Sequence, residues 1–474
     1  MKKILSLAMF IAVTLTSYSQ SLEFKDLGIL FSQDDQNGSA RFRAMGGAFG
    51  ALGGDLSVMN INPAGIAVFN NSSFSGTFNS RDTETATFYG DASFNDRRSL
   101  NFSNNFFNLS HAGAVLVFDS AYSNSDWSKF ALGFNYRITK DFSDSFATEG
   151  NAAITTFETN PNDTNDPQTI FNFTDGQAFE TTLNGDLTEI NFAFSSVYQN
   201  KIYVGLGLNF YDLNFSQQSL LTELNSSQDN RLLDVELSQE NFITGTGFSA
   251  NLGFIYKLSK QFRFGASYQT PTWFNEVIQE TNFIPNDDTN FGEVTYFPEG
   301  ENAFTESNNF QLLNYRLRTP SKLTGSAAFI FGKNGLLSLD YIVRNYNNLN
   351  FSGNFFAQDN QFFQNRLKTT HSYNIGTEWR LQRFSVRGGY SFEESPFIDT
   401  PLTSTNVLNF NDVEGYSFGA GYNFGSFKLD FAYSDNNRES TYNLYNGIDV
   451  GNAQPRATII TDNRIVTATI TINL

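Results

Sequence analysis

The sequence predicts an all-β protein: a transmembrane antiparallel β-barrel of about 14 strands, with an N-terminal segment filling the lumen as a hatch. Three observations carry this expectation. Apolar and polar residues alternate with a period of two over most of the chain. The composition is aromatic and poor in charge, with 52 Phe among 474 residues and only 16% charged residues, against about 25% in typical soluble domains. Short turns also alternate with long polar connections along the chain.

The alternation gives each strand one apolar and one wet face. Tyr416, Phe418, Ala420, Tyr422 and Phe424 alternate with Ser417, Gly419, Gly421 and Asn423, and Phe427, Leu429, Phe431 and Tyr433 with Lys428, Asp430, Ala432 and Ser434. A soluble sandwich would alternate too. Here, however, the wet face repeatedly carries charge, at Arg137, Asp340, Arg344, Glu378, Arg380 and Arg387, as a water-lined lumen would. Aromatics such as Tyr268, Trp273 and Trp379 stand toward strand ends, where interfacial girdles belong. Short turns fall near Gln199 to Lys201, Ser259 to Gln261, Gly332 to Gly335, Leu381 to Arg383 and at Gly425-Ser426. Long polar connections are expected near Ser143 to Asn184, Gln217 to Asn241, Glu276 to Asn314 and Glu393 to Asp412. Strand centres run from near Gly76 to near Ala468, and their even number places both barrel ends in the periplasm.

Three segments are expected: a secretory signal over residues 1–19, a hatch over 20–71 and the barrel over 72–474. Met1-Lys2-Lys3, the apolar run from Ile4 to about Leu15, and the small residues before Gln20 form the signal pattern. The apolar run falls short of the roughly 20 residues of a spanning helix. The segment from Arg41 to Phe69, RFRAMGGAFGALGGDLSVMNINPAGIAVF, breaks the alternation. Its glycine pairs, Gly46-Gly47 and Gly53-Gly54, allow close backbone approach to the wall, and Asn62-Pro63-Ala64-Gly65 reads as a turn.

Composition also bounds the chemistry. The absence of Cys removes thiolate metal sites, iron–sulfur clusters and Cys nucleophiles, and two histidines, His111 and His371, leave little for a metal centre. No metal and no cofactor are expected. A net charge of −18, without any Lys/Arg cluster longer than a dipeptide, argues against nucleic acid. Gly47 to Gly54 lacks the strand and the Lys-Ser/Thr of a phosphate loop. Asp34, Asp35 and Asn37 before Gly38 read as a solvated turn rather than a calcium loop. Ser110 and Ser372 adjoin the two histidines, but neighbours in a strand point to opposite faces, so no Ser–His pair and no enzyme is expected.

The run from Gly53, GGDLSVMNINPAGIA, resembles the Gly-Asp…Asn-Pro-Ala-Gly signature of the FadL/TodX/OmpP1 family of outer-membrane transporters for hydrophobic compounds. The resemblance implies a hatch motif at Gly46, Gly47, Gly53, Gly54, Asp55, Asn62, Pro63, Ala64 and Gly65. It also implies capture of ligand by apolar outer loops, and lateral exit through a kinked third strand, where Gly133 lies. Uptake of hydrophobic molecules, such as long-chain fatty acids or aromatic hydrocarbons, across a Gram-negative outer membrane is the expected function. A FadL-like part in type IX secretion and a gated porin for polar solutes are the alternatives. Expected partners are a hydrophobic ligand, outer-membrane lipids and the barrel-assembly machinery. Strand alternation puts Arg137, Lys257, Arg263, Arg344, Arg380, Arg387 and Lys428 on the inner face. Most should pair with wall acids such as Asp340, Glu378 and Asp430 or with the hatch acid Asp55, and a minority should meet a ligand head group.

Overall fold

The structure, a computed structural model, describes residues 22–90, 98–119, 126–153, 155–165, 167–283, 293–306, 309–398, 408–444 and 456–474. The expected signal at 1–19 lies outside them. Fourteen strands close a ring: β1 Ser73–Tyr89, β2 Arg98–Asp119, β3 Trp127–Asp141, β4 Phe173–Tyr198, β5 Ile202–Ser226, β6 Leu232–Lys257, β7 Phe262–Gln269, β8 Lys322–Phe331, β9 Gly335–Asn345, β10 Thr369–Leu381, β11 Phe384–Glu393, β12 Val413–Asn423, β13 Phe427–Asn443 and β14 Arg456–Asn473. Each runs antiparallel to the next, and β1 pairs with β14 from Ser73↔Asn473 onward, so no edge is left open to lipid. β7 and β8 break at Pro271 and Pro320, which lack a ladder N–H, and continue outward as the paired segments Trp273–Phe283 and Asn309–Arg318. The lower ends are joined by tight turns. Between β4 and β5 the three residues Gln199 to Lys201 make the turn: Gln199 and Asn200 take φ of 49° and 54°, and the Lys201 N–H donates to the Tyr198 carbonyl at 3.0 Å.

Along the long strands the two faces exchange character at a fixed level. On β5 the outward residues Val204, Leu206, Leu208 and Phe210 are apolar, and the inward Asn209 is polar; beyond Phe210 the outward residues are Asp212, Asn214, Ser216 and Gln218, and the inward ones Leu213, Phe215 and Leu221 are buried. The switch recurs between Thr188 and Ile190 on β4 and between Arg464 and Val466 on β14. Below it the outer face meets lipid over the nine residues Ile202 to Phe210, the span a transmembrane strand needs. Above it the barrel wall is an ordinary soluble sheet with water outside and an apolar interior.

This inversion corrects the expected loops. Gln217 to Asn241 is the continuation of β5 and β6, closed by a turn at Ser227 to Arg231. Much of Ser143 to Asn184 and of Glu276 to Asn314 is likewise strand. Polar side chains there face outer water while the sheet goes on, so polarity was no sign of a loop. Residues 399–407, within the expected connection Glu393 to Asp412, lie outside the described residues.

The level of the switch makes a sharp expectation. Phe418→Arg, on the outward face of β12 below it, should cost about 2–4 kcal/mol. Asn214→Arg, outward on β5 above it, should be close to neutral. Reversible unfolding in lipid vesicles measures both, and equal costs would contradict the placement of the boundary.

Candidate functional site

The lumen is filled by residues 22–71. Helix α1, Phe24–Leu30, packs Leu27 and Ile29 into the apolar interior above the switch level; just beyond its C-terminal end, Phe31 meets Phe142 and Phe215 edge-on. Helix α2, Ala40–Ala44, is N-capped by the Ser39 hydroxyl, which accepts the Phe42 N–H at 3.1 Å. Two 3₁₀ turns follow, Leu56–Asn60 and Pro63–Val68. Their N-caps are Asp55, whose carboxylate accepts the Ser57 N–H at 3.0 Å, and Asn62, whose Oδ1 accepts the Ala64 N–H at 3.2 Å. Pro63 starts the second turn, where no N–H is required. The Gly-Asp…Asn-Pro-Ala-Gly run is thus, physically, two capped turns in series.

Asn62 also binds the turns to the wall. Its Nδ2 donates to the Gly50 carbonyl at 2.7 Å and to the β6 carbonyl of Phe254 at 3.0 Å. Ser195 on β4 donates to the Ala64 carbonyl at 3.1 Å. On the opposite wall Asp340, fully buried on β9, accepts the Phe49 and Gly50 N–H groups, each at 2.9 Å from Oδ2. Asp340 was expected to pair with a wall cation; it holds hatch backbone instead. Asp55 likewise accepts the Ser39 hydroxyl at 2.7 Å rather than pairing with a wall cation.

The glycines divide into two jobs. Gly46 lies on the wall: a Cβ there would stand 2.8 Å from the Tyr390 carbonyl oxygen. Gly47, with φ of 79°, lies beside Asn374. Gly53 and Gly65 instead join the two turns, since a Cβ on Gly53 would meet the Gly65 oxygen at 2.6 Å, while a Cβ on Gly54 would make only an ordinary contact with Val68 at 3.8 Å and its positive φ, 70°, is what favours glycine. Close approach to the wall also depends on wall glycines that hatch composition does not reveal. A Cβ on Gly205 of β5 would sit 2.4 Å from the Ala64 nitrogen, and one on Gly389 of β11 would sit 2.2 Å from the Gly46 nitrogen. Gly419 on β12 has no room for a side chain either, because its Cβ would meet that of Ala44 at 2.5 Å.

The seven inner-face cations separate into two levels. Arg137 pairs with Glu189 at 2.8 Å and Arg344 with Asp34, both above the hatch turns. Arg380 and Arg387 both meet Glu378, and Arg387 reaches Asp430 at 2.7 Å. Lys257 bonds Tyr203, Arg263 donates to the Leu52 carbonyl at 2.9 Å, and Lys428 has no ion pair among the described residues. Asp34 and Asp35 are not a solvated turn: Asp34 takes Lys322 and Arg344, and Asp35 takes Lys140 at 2.8 Å. At the histidines the alternation argument fails once. A bulge at Ser110 sets both Ser110 and His111 inward and buried. Both ring nitrogens of His111 are without a hydrogen-bond partner among the described residues, so no Ser–His bond forms there.

Above the hatch turns lies a cavity of about 230 Å³ between α1 and the outer wall, lined in one part by Leu30, Phe142, Phe146, Leu183 and Ile459 and elsewhere by polar and charged side chains, Asp144 and Asp435 among them. Two cations at this cavity have no carboxylate partner among the described residues, Arg43 and Arg438. Arg43, in α2, is 3% exposed; its guanidinium touches only the neutral Ser434 and Asn37, and its Nε has no hydrogen-bond partner among the described residues. Arg438 stacks on Phe410. Neither was singled out from sequence, because Arg43 belongs to the hatch and strand alternation says nothing of it.

Beside the cavity the wall changes partner. The β2–β3 ladder runs from Asp119↔Lys129 to His111↔Arg137 and stops. Beyond it the hatch takes the place of β2: the Asp35 N–H donates to the Thr139 carbonyl at 2.7 Å, and Asn37 Nδ2 to the Ile138 carbonyl at 3.0 Å. The register against β4 slips between Ile138 and Lys140. The departure is therefore at Arg137 to Lys140. Gly133 is still paired with Val115 and faces Met59 of the hatch.

The architecture is similar to that of solved transport proteins. A FadL homologue of Pseudomonas aeruginosa aligns with a TM-score of 0.56 and 12% identity over 93% of this chain and 99% of its own. The P. putida toluene transporter TodX gives 0.52 and 15% over 93% and 99%, and the CymD monoaromatic hydrocarbon channel 0.50 and 13% over 92% and 98%. No protein-family model matches the sequence, and no curated protein matches it. The likeness is one of fold: the plugged 14-stranded barrel expected from the hatch run.

Removing the Asp340 carboxylate should loosen the hatch. Asp340→Ala leaves the Phe49 and Gly50 N–H groups buried and unpaired, at about 1–3 kcal/mol for each unsatisfied group, and should raise the conductance of the protein in planar bilayers. A variant as silent as the parent would show that this clasp does not hold the plug.

Proposed function

We propose that this chain takes up hydrophobic small molecules inward across the outer membrane of a Gram-negative bacterium. The observation that carries the reading is the cavity above the hatch turns, walled in part by Phe142, Phe146, Leu183 and Ile459 and set beside the place where β3 leaves β2. The fold likeness to a toluene transporter and a monoaromatic hydrocarbon channel supports it. The hatch that fills the lumen disfavours an open porin.

The cavity also carries the finer reading, that the molecule has an acidic end. A buried guanidinium with neutral neighbours is costly unless an anion compensates it. Arg43 is buried, hydrogen-bonds only to neutral groups among the described residues, and lines the cavity, with Asp35 near but not in contact. An aliphatic tail among Phe142, Phe146 and Ile459, with its carboxylate at Arg43, satisfies both requirements. Lateral departure along β3, where the hatch rather than β2 holds the strand, is the exit that this geometry favours.

Arg43→Gln keeps a hydrogen-bonding side chain but removes the charge. It should weaken oleate binding to the detergent-solubilised protein about tenfold, the scale of one charged hydrogen bond, and leave toluene binding unchanged. Equal losses for both ligands would assign Arg43 to packing, and failure of the parent protein to support oleate uptake in a host lacking its own transporter would overturn the uptake reading.

A further inference from the structure

On the periplasmic side of the hatch lies a second and larger cavity, of about 800 Å³, bounded by the underside of the hatch and the lower ends of β7 to β14. Its charge runs against that of the chain. The whole sequence carries −18, but this lining holds Arg41, Arg380, Arg387 and Lys428 on one side and Arg263, Lys333 and Arg383 nearer the mouth, against only the carboxylates Asp55, Glu378 and Asp430.

Those three carboxylates are already engaged. Glu378, 1% exposed, receives three guanidiniums: Arg41 at 2.7 Å, Arg387 at 2.7 Å and Arg380 at 2.6 Å. Asp430 takes the second nitrogen of Arg387 at 2.7 Å. Asp55 is turned into the hatch toward Ser39 and Ser57. Lys428 and Arg263 therefore face the cavity with no carboxylate of their own among the described residues, and Arg380, half-exposed, shares its single partner with two other arginines. Leu52, Leu56, Val68, Ile330 and Leu336 make the rest of the lining partly apolar.

We propose that this vestibule is a binding site for a small organic carboxylate, whose oxygens meet Lys428 and Arg380 while its short apolar part lies against Leu52 and Leu336. A neutral hydrocarbon would leave the excess of cations uncompensated, and a bare inorganic ion would leave the apolar lining unused. The hatch separates this site from the outer cavity, so it fills from the periplasm and does not depend on the uptake reading.

The test uses the full chain in detergent, with octanoate and octanol as probes of equal length, followed by isothermal titration calorimetry. Octanoate should bind, octanol should bind at least tenfold more weakly, and added sodium chloride should weaken only octanoate. The double variant Lys428→Gln/Arg380→Gln should lose octanoate affinity about tenfold or more. Absence of octanoate binding in the parent, or affinity that ignores both salt and the double variant, would overturn the proposal. So would loss of binding on Arg43→Gln alone, which would place octanoate in the outer cavity. The comparison of the two probes and the salt series use the parent protein, so they decide the matter even where the double variant does not fold.

Discussion

The structure depends on backbone lying directly against backbone inside a closed wall. A hatch of short helices and turns has no sheet edge to offer the barrel, and it can seal the lumen only where its main chain comes within contact of the strands. Wall glycines make that possible on several sides: Gly205 and Gly253 under the Asn62 turn, Gly265 under Gly50, Gly376 and Gly389 under Met45 and Gly46, and Gly419 under Ala44. Where backbone meets backbone, side chains from both partners complete the hydrogen bonding. Asp340 accepts from the hatch, Asn62 donates to Phe254, and Ser417 accepts the Gly46 N–H at 3.1 Å. An interior this close to dry tolerates few unpaired polar groups, so the same contacts that seal the lumen also fix the position of the plug.

The second governing fact is that one strand crosses two solvents. Below the switch level the outward face must be apolar and the inward face polar; above it the requirement reverses without any break in the hydrogen-bond ladder. β5 pairs continuously with β6 from Ile202↔Tyr256 to Ser226↔Leu232 while its outward residues change from Leu208 and Phe210 to Asp212 and Asn214. The outer part therefore builds a water-soluble core on top of a membrane barrel, and it is there, beside Phe142, Phe146, Tyr442 and Ile459 of that core, that the outer cavity lies.

This explains what the sequence made legible and what it did not. Strand positions follow from period-two alternation, which survives the inversion because the period does not change; all the expected strand centres from Gly76 to Ala468 fall inside observed strands. The outer halves of the strands were taken for loops because polarity was read against lipid when the surroundings were water. The plug was legible because Gly-rich sequence without alternation cannot be wall. The chamber was not, since Arg43, Phe146 and Tyr442 come together from the hatch, the connection after β3 and β13, and no local pattern joins them. The bulge at Ser110 shows the limit of periodicity most sharply: one extra residue turned two consecutive side chains to the same side.

The arrangement of bonds differs between the barrel axis and its side. Moving the hatch out of the axis means breaking the Asp340 and Asn62 clasps and the Arg41–Glu378 pair, whose Nε–Oε2 contact is 2.7 Å. Buried groups left unpaired by such a movement cost about 1–3 kcal/mol each, and more where a charge is stranded. No comparable wall ladder stands at the side. Past His111↔Arg137, β2 and β3 share no rungs; on that side the hatch segment Asp35 to Asn37 holds β3 through the Thr139 and Ile138 carbonyls, the Asp141 N–H and Lys140, while the other side stays paired with β4 as far as Asp141↔Asp186. The charges have distinct places: Asp34 and Asp35 anchor the hatch segment beside β3, Arg43 lies in the lining of the outer cavity, and the arginines around Glu378 tie the underside of the hatch to the wall.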